Sequence, residues 1–360
     1  MPVEFLSDEQ AAVYGQFSGE PSRPELERFF FLDDADLRRV QVRRGEHSRV
    51  GFAVQLGTVR FLGMFLSDWA KVPPGVVRYV ADQVVPAAQV EGLMHRYATR
   101  DKTPLEHSWE IRDALGYRDF PSAEGMTREF LEARAWTRPE RPSQLFDQVV
   151  AWLRTEKILL PGVSVLARLV SEVRMDMSER LYTRLSGRVS TELGHRLEKL
   201  LTVPSGSRVS ELDRLRRAPT RASGPEMVRA LDRVAEIAGF GADRIDVADV
   251  PPSRVDALAC TGLTGDAFTL RRLPAQLRSA VLLATARALR SSSIDDALDV
   301  FAVLMASKVL GPAERASVAE RLRSLPQLAK ASATLAMAVR VLLEIAGSVG
   351  DPGLPPEIDQ

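Results

Sequence analysis

Apolar side chains recur at helical spacing, every three or four residues, along almost all of the 360-residue chain. This pattern restricts the fold more than any other feature, because no sustained alternation of apolar and polar residues, the mark of a half-buried strand, accompanies it. The composition, 45% apolar and 27% charged, is that of an ordinary globular protein. We therefore predict a mainly α protein built from several helical domains.

Composition and motifs exclude several classes of function. The single cysteine, Cys260, rules out an internal disulfide framework and any multi-cysteine metal site. The four histidines have no ligand spacing such as a helical i, i+4 pair. No phosphate loop, dinucleotide-binding glycine motif or nucleophile elbow is present. The sequence has no secretion signal and no segment apolar enough to span a bilayer, which predicts a cytoplasmic protein that does not bind membranes.

Proline- and glycine-rich breaks divide the chain. Residues 138–143, Arg-Pro-Glu-Arg-Pro-Ser, predict a linker, and residues 217–225 predict a softer boundary. We expect domains at 1–140, 141–222 and 223–360, the last one truncated at its end. Within it we predict four helices, at about 274–290, 294–308, 312–323 and 328–347.

Capping residues predict where several helices begin. Asp33 or Asp34 suits the start of one helix, and Ser48 suits the start of another that continues through Leu66. Further N-cap residues are predicted at Ser143, Ser164 and Ser253. Three glycines spaced six residues apart predict close helix–helix or helix–backbone approach at the second helix: Gly51, Gly57 and Gly63.

The zero net charge hides a segregated distribution. Residues 37–60 contain six basic and one acidic side chain, and residues 151–221 contain 14 basic and eight acidic ones. Charge concentrated in segments indicates partners better than the total does.

The first functional candidate is a helix–turn–helix-like pattern at residues 144–175. An amphipathic helix is followed by a predicted tight turn at 160–163 and a short second helix with a packed apolar face. The opposite face is polar, as a helix that reads the major groove requires. An ordinary helical hairpin with a solvated face has the same pattern. The candidate DNA contacts here are Lys157, Ser164, Arg168, Ser171 and Arg174.

Three further basic segments could bind phosphates. The first lies in residues 38–60, where pairing with Asp33, Asp34 and Asp36 is an equal alternative: Arg38, Arg39, Arg43, Arg44, His47, Arg49 and Arg60. The second interleaves basic and aromatic residues, although Trp109 could equally be a core residue: Arg96, Arg100, Lys102, His107 and Arg112. The third is an arginine-rich linker, which could also be a solvated tether: Arg214, Arg216, Arg217 and Arg221.

Several phrases of the sequence resemble the transposases of the Tn-three family, which move replicative transposons bounded by terminal inverted repeats. They extend over essentially the whole chain: Met1–Gln10, Glu27–Asp34, Arg49–Gly63, Glu106–Arg112, Gly116–Phe120, Leu159–Val163, Leu212–Arg217, Val250–Pro252 and Leu325–Ser332.

The resemblance implies a division of labour. In this family the N-terminal part binds the terminal inverted repeats through helical DNA-binding domains, and the following helical region helps to form a homodimer. Catalysis belongs to a magnesium-dependent RNase H-like domain with two aspartates and a glutamate, far downstream. No segment of this chain matches it, so we expect no catalytic residue and no cofactor here. We expect double-stranded DNA as partner and a bacterial protein that is associated with the nucleoid when bound. The alternative is a helical protein-interaction or dimerisation module without specific DNA binding.

Overall fold

A computed structural model describes residues 5–66, 68–85, 90, 92–99 and 102–348. This part of the chain is helical and contains no strand, only an isolated bridge between Arg118 and Ile158. The prediction of a mainly α protein is therefore confirmed. The chain packs as two compact units, residues 1–199 with 245–285 and residues 200–244 with 286–360. The predicted functional division into three domains is not tested by this packing and stays a prediction.

The first unit begins with a bundle built around one buried helix. Its helices are α1 (Asp8–Val13), α2 (Arg23–Glu25), α3 (Asp34–Gln41), α4 (Glu46–Leu62), α5 (Pro74–Val84), α6 (Leu93–Ala98) and α7 (Lys102–Leu115), with a π-helical turn at Leu26–Phe30 and a 3₁₀ turn at Trp69–Lys71. Most residues of α4 are buried, and α3, α5, α6, α7 and the π-helical turn all pack against it. Burial of so much apolar surface on one helix makes α4 the core of this bundle.

Glycines let aromatic rings approach α4 closely. A Cβ atom on Gly51 would lie 2.3 Å from the Tyr97 ring, and one on Gly57 would lie 2.2 Å from the Phe30 ring. Both distances are far below van der Waals contact, so these positions require glycine. The close approach predicted from the glycine spacing is confirmed at both positions, with side-chain rings as the neighbours.

The ends of α3 and α4 follow local capping chemistry. Asp33 is the N-cap of α3, as predicted, and its carboxylate accepts a 2.8 Å hydrogen bond from the Asp36 N–H. The predicted start of α4 at Ser48 is wrong, because Gly45 (φ +83°) allows the chain to enter the helix at Glu46 and Ser48 is buried. The helix also ends before Leu66, since Gly63 adopts the left-handed conformation that terminates helices.

A three-helix layer completes the N-terminal part of the first unit: α8 (Phe120–Thr137), α9 (Pro142–Thr155) and α10 (Val163–Ser186). The predicted inner face of α10 is confirmed, because four apolar side chains are buried in this layer: Leu166, Leu169, Val170 and Val173. The helix has 24 residues and is therefore much longer than predicted.

The connection between α9 and α10 differs from the predicted tight turn. Seven residues, 156–162, join the two helices, whereas a helix–turn–helix connection has about three or four. Backbone hydrogen bonds hold this segment extended: Leu159 N–H donates to the Arg118 carbonyl and Leu160 N–H to the Gly63 carbonyl, both at 2.9 Å. The Ser164 cap is also wrong, because α10 already begins at Val163 with Gly162 as its N-cap.

The first unit continues with α11 (Thr191–Lys199), α14 (Pro252–Thr264) and α15 (Ala267–Arg271). The predicted caps at Ser143 and Ser253 are wrong for one reason. In each case the preceding proline, Pro142 or Pro252, occupies the first helical turn, where its missing N–H costs nothing. The Ser253 hydroxyl instead donates a 2.7 Å hydrogen bond to the Thr137 carbonyl.

The second unit contains α12 (Glu211–Leu215), α13 (Gly224–Phe240), a 3₁₀ turn at Ala242–Arg244, a π-helical turn at Met305–Leu310 and α17 (Gly311–Ser348). The boundary between the units, at residues 285/286, falls within α16 (Ala275–Leu304). The prediction of four helices in this region is wrong, because the structure has two long helices, α16 and α17, joined by the π-helical turn. One reason is that the Ser292 and Ser293 hydroxyls donate back to the Leu289 and Arg290 carbonyls of the preceding turn and do not cap a new helix.

Candidate nucleic-acid interface

Part of the first basic segment is neutralised inside the fold. Arg60 Nη1 and Nη2 donate to the two carboxylate oxygens of Asp36 at 2.8 and 2.9 Å, and Arg39 Nη1 lies 3.7 Å from the same carboxylate. Asp36 is 2% exposed, so the two arginines compensate a buried negative charge. The pairing alternative therefore describes Arg39 and Arg60.

Arg43 and Arg49 are also held within the bundle. Arg43 pairs with Glu110 of α7, and its guanidinium carbon lies 4.4 Å from the centre of the Phe52 ring. Its carbonyl accepts a 3.1 Å hydrogen bond from Arg49 Nε. These contacts orient both arginines toward the protein, so neither is a freely projecting phosphate contact.

Two arginines of this segment remain open to a ligand. Arg38 and Arg44 are exposed, and among the described residues neither forms an ion pair. His47 is half-buried near them in sequence, and Val42, 76% exposed, lies between them. Because their charges are not compensated, Arg38 and Arg44 are the side chains of this segment best suited to phosphate.

His107, a predicted DNA contact, is buried in the core. Its Nδ1 lies 2.8 Å from the Tyr97 hydroxyl, which also accepts a 3.0 Å hydrogen bond from Gln55 Nε2. Burial, with a smaller contribution from the Arg43 charge, lowers the pKa of His107 to about 4. The ring is therefore neutral at pH 7 and is not available to a phosphate, which corrects the expectation for this residue.

The other residues of the basic and aromatic segment are at the surface. Arg112 pairs with Asp113 at 2.8 Å and with Asp119 at 2.5 Å. Arg96 and Lys102 are exposed and have no ion-pair partner in the described part of the chain, whereas Arg100 lies outside the described residues. Trp109 is 52% exposed, so the interpretation of this tryptophan as a core residue is wrong.

The polar face in the first half of α10 is largely at the surface. Ser164, Arg168 and Arg174 are exposed, and Ser171 is half-buried. Arg168 has only a loose pair with Glu172 at 3.9 Å, and Arg174 has no ion-pair partner within the described residues.

The side chain of Lys157, in the connection between α9 and α10, contacts a backbone carbonyl at the end of α7. The residue adopts a left-handed conformation (φ 52°), and its Nζ donates to the Leu115 carbonyl at 3.2 Å. A flexible, exposed lysine can exchange such a contact for a phosphate at little cost.

The arginine-rich linker lies in the second unit and is partly neutralised there. Arg214 pairs with Glu211 and Glu236, and Arg216 Nη1 lies 3.0 Å from Asp213. Arg217 and Arg221 are exposed, and neither forms an ion pair in the part that the structure describes.

One basic residue outside the predicted set has no counter-charge. Arg254 of α14 is half-buried, its Nε is buried without a hydrogen-bond partner, and no carboxylate pairs with it in the described part of the chain. No sequence pattern indicates this residue, because it is an isolated arginine after Pro251-Pro252-Ser253.

The described residues contain no cluster of three or more His, Cys, Asp or Glu side chains arranged to hold a metal ion. None of the helices described here is long and apolar enough to cross a membrane. The open groups named above are exposed basic and hydroxyl side chains, whose chemistry suits phosphate.

Comparisons with known proteins identify the relatives of this chain. The family described as "Domain of unknown function (DUF4158)" matches residues 5–173. The transposase for transposon gamma-delta of Escherichia coli (strain K12) is 37% identical over 347 residues, which is 96% of this chain and 34% of that protein. The chain is similar to the N-terminal region of transposases of the Tn-three family.

Two further relatives agree with this assignment. The transposase for transposon Tn4556 of Streptomyces fradiae is 52% identical over 143 residues, 40% of this chain and 16% of that protein. The transposase for transposon Tn501 of Pseudomonas aeruginosa is 28% identical over 283 residues, 78% of this chain and 28% of that protein. The chain spans about a third of the length of the gamma-delta relative and less of these two.

Proposed function

We propose that this chain binds the terminal inverted repeats of a transposon sequence-specifically, as the N-terminal part of a Tn-three family transposase. The observation that carries the proposal is the 37% identity with a transposase over 96% of the chain. The activity of a complete transposase, DNA transposition by recombination, would then depend on this part for choosing the DNA ends. No residue of this chain is assigned to strand cleavage or joining.

Two features of the surface support DNA as the partner. Exposed basic side chains without ion-pair partners are present at Arg38, Arg44 and Arg174, and such groups bind phosphates with release of counterions. The polar face of α10 offers Arg168 and Ser171 as donors for base edges. The seven-residue connection before α10 departs from a helix–turn–helix motif, so the proposal concerns the face of α10 and not that motif.

Binding to labelled duplexes tests this function. We expect the chain to bind the inverted repeat that bounds its own transposon about a thousandfold more tightly than a scrambled duplex of equal length and composition. Affinity for both duplexes should fall steeply with salt concentration. Equal affinity for the two duplexes at every salt concentration would refute sequence-specific binding.

The second candidate is a homodimerisation or protein-interaction function of α17. This helix exposes several large apolar side chains, among them Leu322, Leu325, Leu335, Leu342 and Leu343. Exposed apolar surface of this extent indicates an interaction site. Sedimentation of the full chain at increasing concentration tests homodimerisation, because a chain that stays monomeric would exclude the dimer.

If the chain acts on DNA in this way, it is expected in the bacterial cytoplasm, with the nucleoid. This location follows from the proposed DNA partner, since the nucleoid is where transposon ends are found.

A further inference from the structure

Arg254 has no ion-pair partner among the residues that the structure describes. It lies in the first turn of α14, within the first unit, and its Nη2 is 3.4 Å from the Ser178 hydroxyl of α10. The Ser178 hydroxyl donates its own hydrogen to the Arg174 carbonyl at 2.8 Å, so its oxygen is free to accept from Arg254. The Nε–H is buried and has no acceptor. A buried donor without an acceptor is unfavourable. The rest of the half-buried guanidinium keeps a positive charge that attracts anions.

A second arginine strengthens the positive charge at this place. The Ser178 hydroxyl links the two residues, because it accepts from Arg254 and donates to the Arg174 carbonyl. Burial lowers the pKa of Arg254, Tyr182 raises it, and the charge of Arg174 lowers it further. Among the described residues, neither arginine forms an ion pair with a carboxylate. Two nearby like charges without a counter-charge repel one another, and this repulsion is relieved when an anion binds between them.

The end of α10 and the turn that follows it show the opposite arrangement. Arg184 and Arg188, further along the chain from Arg174, share the carboxylate of Asp249, and Arg188 reaches it at 2.6 Å. Among the described residues, a carboxylate therefore pairs with Arg184 and Arg188, and none pairs with Arg174 or Arg254. This contrast indicates that the anion of the second pair comes from outside the described chain.

The position of the pair indicates which anion this is. Arg174 follows Arg168 and Ser171 on α10, and residues 168–178 extend for about 15 Å along the helix axis. The pair thus continues the polar face that we propose for base contacts, and Arg254 adds a second helix to it. Planar guanidinium groups match the geometry of phosphate oxygens.

We infer that Arg174 and Arg254 bind one phosphate of the DNA backbone next to the segment that α10 reads, with Ser178 orienting Arg254. This inference rests on the proposed DNA-binding function and assigns to it a contact between α10 and α14. The contact positions α10 on the duplex and does not itself discriminate between sequences.

The test measures the salt dependence of duplex affinity for the full chain. The variants are Arg174→Gln, Arg254→Gln and the double variant, with a random-sequence duplex as probe so that sequence specificity is not required. The control is Arg78→Gln, which changes an exposed arginine of α5 that has no ion-pair partner among the described residues. Arg254→Lys retains the charge without the planar fork.

Loss of one phosphate contact lowers the magnitude of the slope of log K against log salt by about 0.9. We expect this change in the double variant, which corresponds to about eightfold weaker binding at 0.1 M salt relative to an unchanged affinity at 1 M. Because the two arginines share one phosphate, the double variant should not reach the change of about 1.8 expected for two contacts. Arg254→Lys should keep most of the slope, and Arg78→Gln should keep all of it.

Several results would overturn the inference. An unchanged slope in the double variant would mean that another anion, such as an acidic protein segment, neutralises the pair. Equal losses of slope in Arg78→Gln and Arg254→Gln would mean that the effect reflects net charge and not this site. A melting temperature lowered only in Arg254→Gln, with the slope of Arg174→Gln unchanged, would give Arg254 a structural role. Wild-type chain that binds both the repeat and the random duplex equally refutes the specific function but still allows the phosphate site to be measured, whereas failure to bind either duplex refutes both.

Discussion

Two basic regions of the first unit use their arginines differently. In residues 38–60, Arg39 and Arg60 compensate the buried Asp36, and Arg43 pairs with Glu110. On the α10–α14 face, Arg174 and Arg254 have no ion-pair partner in the described part of the chain. One region therefore uses most of its charge to hold helices together, and the other leaves its charge open to a ligand.

The difference shows that the density of arginines along a sequence does not measure the charge available to DNA. The first region is the denser one in the sequence, yet the fold supplies carboxylates from α3 and α7 to neutralise it. Availability depends on which helices pack together, and this is decided by the apolar faces of α4 and α10.

The largest expected effect concerns the stability role of the first region. Arg60→Ala should lower the free energy of unfolding by about 3 kcal/mol, because it removes the bidentate partner of the buried Asp36. Arg174→Ala should change it by less than about 0.5 kcal/mol, as expected for a surface side chain. Urea unfolding of both variants measures the difference. Similar values for the two would contradict the division between structural and available arginines.

The next effect concerns pH and the buried His107. Its pKa of about 4 in the folded protein lies below the ordinary value of about 6.5, so the unfolded chain binds more protons between these values. The free energy of unfolding should therefore fall by about 2 kcal/mol as the pH decreases from 6.5 to 5.

His107→Gln is the control, because it replaces the titrating imidazole with an uncharged polar amide. The difference between the two proteins isolates His107 from other titrating groups. If wild type and variant lose the same stability over this range, the histidine is not buried and neutral as described.

A smaller effect is expected for base recognition. Arg168→Ala should lower the preference for the inverted repeat over a scrambled duplex by about tenfold, or about 1.4 kcal/mol, because it removes a donor aimed at base edges. Arg174→Ala should weaken binding to both duplexes equally. Competition binding measures the ratio, and a ratio that changes with Arg174 rather than Arg168 would reverse the proposed roles on α10.

The smallest effect compares two arginines of the first region. Arg44→Ala should weaken binding to any duplex about fourfold at 0.2 M salt relative to an unchanged affinity at 1 M, because its charge is unpaired. Arg39→Ala should have less effect, because the Arg39 charge is already attracted by Asp36. Fluorescence anisotropy with a random-sequence duplex compares them. Stronger weakening by Arg39→Ala would show that pairing within the fold does not decide availability.

Much of the fold follows from local sequence patterns. Apolar spacing predicts the helices and the buried face of α10, and Asp33 predicts the start of α3, because both signals act within one helical turn. The wrong predictions concern helix ends, where a neighbouring residue or a different hydrogen bond determines the start or the continuation of the helix. Gly45 and the prolines at 142 and 252 start helices before the predicted serine caps, and serine hydroxyls near residue 292 bond backward within α16.

Less of the candidate site can be predicted, because its state depends on long-range packing. The pairing of Arg43 with Glu110 joins residues 67 positions apart, and the burial of His107 depends on its packing beside Phe52 and Tyr97. Arg254 lies 76 positions from Ser178, so no local pattern indicates their contact. The sequence therefore predicts which segments are basic, and the fold decides which of those charges remain open.

We propose that four arginines without ion-pair partners among the described residues engage DNA, and that acid-paired arginines do not. The most direct test of this proposal compares two quadruple Arg→Gln variants that remove equal charge. One changes the open positions Arg38, Arg44, Arg174 and Arg254, and the other changes the acid-paired positions Arg23, Arg118, Arg128 and Arg229.

The salt slope of duplex affinity is measured for both quadruple variants. We expect the magnitude of the slope to fall by about 2.7 in the first variant, which corresponds to three phosphates. The slope of the second variant should stay close to that of wild type. Equal losses of slope in the two variants would mean that ion pairing within the fold does not decide which arginines engage DNA.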